Sequence, residues 1–478
     1  MGEKSPAKKA SGIPKTSTQI EGLDEILHGG LPTGRTTLVG GGPGTGKTLL
    51  GLEFLYRGAL SGDPGIFISF EESAERIRQN TVSFGWDLES LEKAEKLFLM
   101  NGEVPPEAMV SGDFNLRGLL AIIEGTAGAM NAKRIVIDAL DVLLRVFDDP
   151  NREQQQVFDL HNWLNKQGLT AILTTKNLKA EDLLPPFDFL DFMADCVIYL
   201  DQRIREQVNT KRVQIIKYRG SSFGSNEYPF LITDRGMFFN SISEIQLLYK
   251  SSARRISSGN PSLDEILGGG YRQGTCILIS GATGTGKTSI ASTFAHSACE
   301  NGQKVLYTSF EESSESMLAD MRSIGIDLKP AIQSASLRLM PVMPESKGIE
   351  EHLYDAITTI GDFQPEHFVV DAISACNRIA GESASFDFIM RLMHFCKKKG
   401  ITVILTNQVR NSSEHHEISG IGISSIIDTI INLNYKDTGN ETGRILQVMK
   451  SRGSKHSNKY HNYLLTDDGI KFHTTQTQ

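Results

Sequence analysis

Cysteine is scarce in this chain. The five residues (Cys196, Cys276, Cys299, Cys376 and Cys396) are scattered among 478 and never form Cys-x-x-Cys. This leaves neither the ligand spacing of a zinc ribbon nor the pairing of a small secreted disulfide scaffold, so buried free thiols are the remaining reading. Long apolar runs are missing too, and the amino terminus has no apolar signal core. The expectation is a soluble, cytoplasmic protein with no membrane partner. Nor is there an excess of positive charge. With 49 Lys and Arg against 57 Asp and Glu, the formal net charge is −8, which argues against a generic nucleic-acid coat but leaves room for a narrow basic channel. What is present is ordinary globular material, 39% hydrophobic and 22% charged, enough for two or three domains at about 150 residues each.

Against this plain background stand two glycine-rich loops, Gly41-Gly42-Pro43-Gly44-Thr45-Gly46-Lys47-Thr48 and Gly281-Ala282-Thr283-Gly284-Thr285-Gly286-Lys287-Thr288. The spacing G-x-x-x-x-G-K-T lets successive backbone N–H groups turn inward around phosphate oxygens, and a helix then opens with its positive end toward them. An ordinary glycine turn would leave a lysine at a helix start, where the dipole disfavours it. Lys47 and Lys287 are therefore expected to reach the outer phosphates. Thr48 and Thr288 would offer hydroxyls to Mg²⁺. Gly44 to Leu49 and Gly284 to Ser289 are the candidate ATP-binding stretches, so the chain reads as a double ATP-binding protein.

The two loops lie 240 residues apart, and much else repeats with them. Leu23-Asp24-Glu25-Ile26-Leu27 returns as Leu263-Asp264-Glu265-Ile266-Leu267, each a short amphipathic helix ended by glycines, and Ser69-Phe70-Glu71-Glu72-Ser73 returns as Ser309-Phe310-Glu311-Glu312-Ser313. Farther on the offset shortens to 233, pairing Asp138 with Asp371 and Lys217-Tyr218-Arg219-Gly220 with Lys450-Ser451-Arg452-Gly453. A period of this length means a duplicated domain rather than a solenoid. Short apolar runs alternating with helical patterns predict, in each half, an α/β domain with a mostly parallel twisted sheet flanked by helices. The organisation expected is a flexible tail over 1–13, a first domain over 14–247 and a second over 248–478, with polar residues 241–256 between the domains.

Ligands of such sheets bind beyond the carboxyl ends of the strands, where the glycine loops, the glutamate pairs and the two aspartates all fall. Asp138 and Asp371 suit the acid that holds a Mg²⁺ hydration shell, the alternative being a helix cap. Glu71-Glu72 and Glu311-Glu312 suit a carboxylate pair that polarises an attacking water or hydroxyl, the alternative being solvated surface. Lys217 with Arg219, and Lys450 with Arg452, alternate on a strand and so share a face. That arrangement suits a phosphate clamp from a neighbouring subunit or, more simply, a cross-strand salt bridge.

Taken together, these motifs resemble the KaiC family of circadian clock ATPases and kinases over nearly the whole chain, from about Ile13 to about Phe472. The resemblance implies tandem RecA-like P-loop NTPase domains, with ATP and Mg²⁺ as cofactors. It also implies a homohexameric double ring with nucleotides at subunit interfaces, an ATPase in the first domain, and a serine/threonine autokinase in the second. The phosphoacceptors would be Ser424 and Ser425 in Gly422-Ile423-Ser424-Ser425-Ile426-Ile427-Asp428-Thr429. The first domain carries Asp191 and Phe192 at the matching place, so only the second could be its own substrate. By the same carry-over Ser83, Lys217, Tyr218, Arg219, Ser221, Phe223, Thr233 and Asp234 would line the first nucleotide site. Arg444, Lys450, Ser451, Arg452 and His456 would line the second. Glu311 would serve as magnesium ligand and base with Glu312 beside it, and Arg219 and Arg452 would act catalytically. A serine stands at 425 where the family usually has threonine, which puts an ordered phosphorylation cycle in doubt. Because the sequence stops at Gln478, no KaiA-type activator is expected, while a KaiB-like partner is compatible. The competing reading is a RecA-like recombinase or helicase without kinase activity. It calls for basic DNA-facing loops or aromatic platforms, and neither stands out here. A nucleotide-gated scaffold with little turnover is a third reading, which the repeated glutamates oppose.

Overall fold

In a computed structural model the described residues are 12–102, 116–144, 150–176, 193–205, 208–240, 252–409, 426–437 and 442–472. The chain separates into two compact units, 1–244 and 245–478. Each unit is built on a nine-stranded sheet. In the first, the spatial order is Leu97–Asn101, Gly65–Ser69, Arg134–Asp138, Thr170–Thr175, Thr36–Gly41, Cys196–Arg205, Val208–Tyr218, Glu227–Thr233 and Gly236–Phe239. The first six strands run parallel and the last three turn back antiparallel. The second unit repeats this order with Leu337–Pro341, Val305–Ser309, His367–Asp371, Thr402–Gln408, Cys276–Gly281, Thr429–Asp437, Thr442–Ser451, His461–Thr466 and Gly469–Phe472.

The parallel strands read as continuous apolar runs because helices cover both faces. Successive side chains enter opposite cores: Val39, Phe67, Val136 and Ile172 pack on one side of the first sheet, and Leu38, Ile66, Ile135 and Ala171 on the other. In the second unit Ile277, Val305, Val369 and Ile404 face one core, and Leu278, Leu306, Phe368 and Val403 the other. Ile13, at the end of the expected tail, packs against the first core. All five cysteines are free and buried, and burial pushes the Cys196 thiol up to about 12. No helix among the described residues is long and apolar enough to cross a membrane.

The cores differ at one informative place. Arg134 is almost fully buried, bonds Asp63 and the Phe54 carbonyl, and lies over the Phe54 ring at 4.5 Å. Its counterpart is His367, wholly buried with both ring nitrogens lacking a hydrogen-bond partner and its ring edge-on to Phe294. Burial drives its pKa down from 6.5 to about 4. Between those values the unfolded chain binds a proton that the folded chain refuses, so stability rises with pH across this window and is lost as pH falls through it. The second unit should lose about 3 kcal/mol on acidification from pH 7 to 4 through this residue. Thermal melts against pH should show His367→Leu flattening that slope, and an unchanged slope would refute the assignment.

Candidate nucleotide sites

Each loop leaves the end of a central parallel strand, and its glycines take the conformations that the turn needs. Gly44 and Gly46 have φ of 72° and 97°, and Gly284 and Gly286 have 77° and 95°. Gly46 and Gly286 directly precede the helices Lys47–Leu60 and Lys287–Glu300. Lys47 Nζ donates to the carbonyls of Gly41 at 2.8 Å and Gly42 at 2.9 Å, and Lys287 Nζ donates to Ala282 at 2.9 Å. Thr45 and Thr285 tie each loop back through their hydroxyls, which donate to the Gly42 and Ala282 carbonyls. Burial lowers the pKa of both lysines, opposed at Lys47 by Asp138, Asp141 and Glu71 and at Lys287 by Asp371 and Glu311.

The acids arrive where the sheet places them. Asp138 ends its strand level with Ser69, and Asp371 ends its strand level with Ser309. In the first site Asp138 accepts hydroxyl bonds from Thr48, at 2.9 Å, and from Thr174. In the second, Asp371 accepts from Tyr307 at 2.9 Å and from Thr406. Burial raises the Asp138 pKa, with the two hydroxyl donors opposing. The repeated Ser-Phe-Glu-Glu-Ser segment now has a local explanation. Ser69 and Ser309 accept the N–H of Glu72 and Glu312, folding the turn, while Ser73 and Ser313 cap the helices Ala74–Thr81 and Ser314–Ser323. The carboxylates are thereby presented at the strand ends. Glu71 pairs with Lys176, and Glu72 accepts from Asn80 at 3.1 Å. Burial, then Asp371, Asp320 and Glu311, raise the Glu312 pKa. A hydroxyl and a carboxylate at the base of each loop suit Mg²⁺, which takes few protein oxygens when phosphates and water supply the rest.

Several other candidates lie away from the loops. Tyr218 pairs with Cys196, which pairs with Thr37, so Lys217, Tyr218 and Arg219 sit at the amino end of the parallel strands. The loop starts beyond the opposite end, about 13 Å farther along. Lys450, Ser451 and Arg452 stand likewise, since Lys450 pairs with Ile430 beside Leu278. Tyr218 itself is buried and donates to the Gly30 carbonyl, and Phe223 packs on the first core. Ser221 bonds the Ser222 carbonyl, and the exposed Ser83 bonds the Asn80 carbonyl. Thr233 and Asp234, by contrast, stand at the loop end of the sheet: Thr233 closes the hairpin turn by bonding Gly236, and the adjoining Ile232 and Met237 side chains lie against Gly46. His456 approaches the Ser454 carbonyl. Ser424 and Ser425 lie outside the described residues. The described residues continue from Ile426, and Asp428 is held by Lys397 at 2.7 Å.

Some residues escaped the sequence reading. Lys211 donates to the Gly44 carbonyl at 2.6 Å, matching Arg444 on Gly284 at 3.1 Å, and the 233-residue offset between the two was the signal available. Tyr435 bonds the Thr283 carbonyl, and Thr174, Thr406 and Tyr307 hold the acids; strand alternation alone does not mark them.

Comparison with known proteins agrees with this architecture. The family model for the KaiC ATPase matches twice, over residues 16–244 and 256–477. The circadian clock protein KaiC2 of Synechocystis sp. is 38% identical over 464 residues, covering 95% of this chain and 81% of the relative. The circadian clock oscillator proteins KaiC of Acaryochloris marina and Synechococcus elongatus are each 36% identical over 459 residues, covering 96% of this chain and 88% of each relative. Two sheets of the same order, two phosphate loops with their acids, and matches spanning both halves establish that the chain belongs to the KaiC family of tandem-domain ATPases.

Proposed function

We propose that the first domain hydrolyses ATP and that the second transfers the γ-phosphoryl group to Ser424 and Ser425 of a neighbouring copy, in a ring hexamer with a timing or signalling role. The observation that carries this reading is the polarity of each domain. The phosphate loop and glutamates lie at the carboxyl end of the strands, whereas the Lys-x-Arg pair and the start of the strand that follows the serines lie at the amino end. One copy cannot bring its own two ends together, so the second set serves the site of the next subunit. In transfer, the serine oxygen bonds to the γ-phosphorus as the bond to the β,γ-bridging oxygen breaks, with the electron pair staying on ADP. The hydroxyl proton passes to the Glu311–Glu312 carboxylates, whose raised Glu312 pKa suits acceptance. Arg452 and Lys450 of the adjoining copy would offset charge on the γ-oxygens, and Arg219 and Lys217 would do so in the first domain. Bound Mg²⁺, held by Thr48 or by Thr288 and Glu311, would neutralise phosphate charge. A KaiB-like protein is the partner class that this reading admits.

The test is site-resolved phosphopeptide mass spectrometry after incubation with Mg-ATP. Phosphate is expected on Ser424 or Ser425, and it should vanish in Ser424→Ala/Ser425→Ala and in Glu311→Gln. Hydrolysis without any phosphoserine would overturn the kinase assignment.

A further inference from the structure

Lys176 stands one residue beyond Thr175, which pairs with Gly40, so it lies level with the start of the first phosphate loop. Its ammonium pairs with Glu71, and its charge is close enough to add to the lowering of the Lys47 pKa that burial begins. Asp141, two residues past the cis peptide that follows Asp138, is 3% exposed with neither carboxylate oxygen hydrogen-bonded. It too acts on Lys47. The second domain changes both residues together. Gln408 pairs with Gly281, donates to the Thr283 hydroxyl at 2.6 Å, and sends its backbone N–H toward the Ser374 hydroxyl at 3.4 Å. A Ser374–Gln408 pair thus replaces Asp141 and Lys176, removing one charge of each sign from the same corner.

We propose that Lys176 is a second cationic contact for the γ-phosphate of ATP in the first site, exchanging Glu71 for that phosphate and so freeing Glu71 to polarise the attacking water. This rests on the reading of the first domain as a nucleotide site. The γ-phosphate carries more charge than one carboxylate, so Lys176 gains by the exchange. Water oxygen then bonds to the γ-phosphorus, the bond to the bridging oxygen breaks with its electron pair left on ADP, and the water proton passes to Glu71. Lys176 forms no covalent bond; it offsets charge on the γ-oxygens. The buried Asp141 carboxylate balances the extra cation. Gln408, being neutral, does not supply this contact in the second domain.

The test uses the full chain carrying Lys287→Ala, which confines tight nucleotide binding to the first site, with fluorescent ATP and ADP analogues titrated against it. Lys176→Gln should weaken ATP by about tenfold or more while leaving ADP within about twofold, because only ATP has the γ-phosphate. Glu71→Gln, which breaks the ion pair but keeps the lysine, should not weaken ATP. Equal loss of ATP and ADP, or no loss of either, would overturn the proposal while leaving the nucleotide site intact. A Lys287→Ala chain that binds neither nucleotide would instead overturn the underlying reading, and the proposal with it.

Discussion

Lys47→Ala should reduce ATP hydrolysis by the full chain on the order of 10²-fold or more, whereas Lys287→Ala should leave most hydrolysis in place and eliminate phosphoserine. The asymmetry is what the proposed division of labour between the two complete loops requires. Lys47 and Lys287 are the half-buried ammonium groups folded against their own loop carbonyls, and each is pulled upon by the acids of its own site. Alanine removes the cation while leaving the glycine conformations and the following helix in place, so the loss is electrostatic rather than structural. Phosphate release and phosphopeptide analysis on the same samples separate the two outcomes. Wild-type hydrolysis in Lys47→Ala would remove the first domain as the principal ATPase.

Asp371→Asn should lower phosphoserine formation about 10²-fold or more while lowering the melting temperature by only a few degrees, the effect of one unpaired buried hydroxyl. The carboxylate is buried, and both its oxygens already accept hydroxyl protons, from Tyr307 and Thr406. Asparagine keeps one acceptor but turns an N–H₂ toward the other hydroxyl, so one donor must swing away and the negative charge beside Lys287 is lost. Asp138→Asn should act alike on hydrolysis, through Thr48 and Thr174. The first domain has Phe67 at the place of Tyr307, so its acid spends an oxygen on the loop threonine instead. Quantifying phosphopeptides against time decides the matter. A normal rate in Asp371→Asn would exclude this acid from the second site.

Much of the molecule was legible in the chain because it was written twice. The two loops, the Ser-Phe-Glu-Glu-Ser turns and the acid-ended strands each repeat at one of two offsets, and each encodes local geometry: glycines with positive φ, serines that cap, apolar runs that must be covered on both faces. Motifs of this kind fix conformation within a few residues, so sequence alone determined the fold class, the duplication and the local turns of the loops and of the Ser-Phe-Glu-Glu-Ser segments. It did not place Lys211 on the Gly44 carbonyl, Lys176 on Glu71, or Tyr307 on Asp371, because each contact joins strands far apart in the chain and depends on sheet order and register. Nor did spacing show that Lys217 and Arg219 stand at the far end of the strands from their own loop. Alternation along a strand tells which side chains share a face. Which end of the sheet they occupy depends on the antiparallel return of that strand, and that is settled only when the whole sheet assembles.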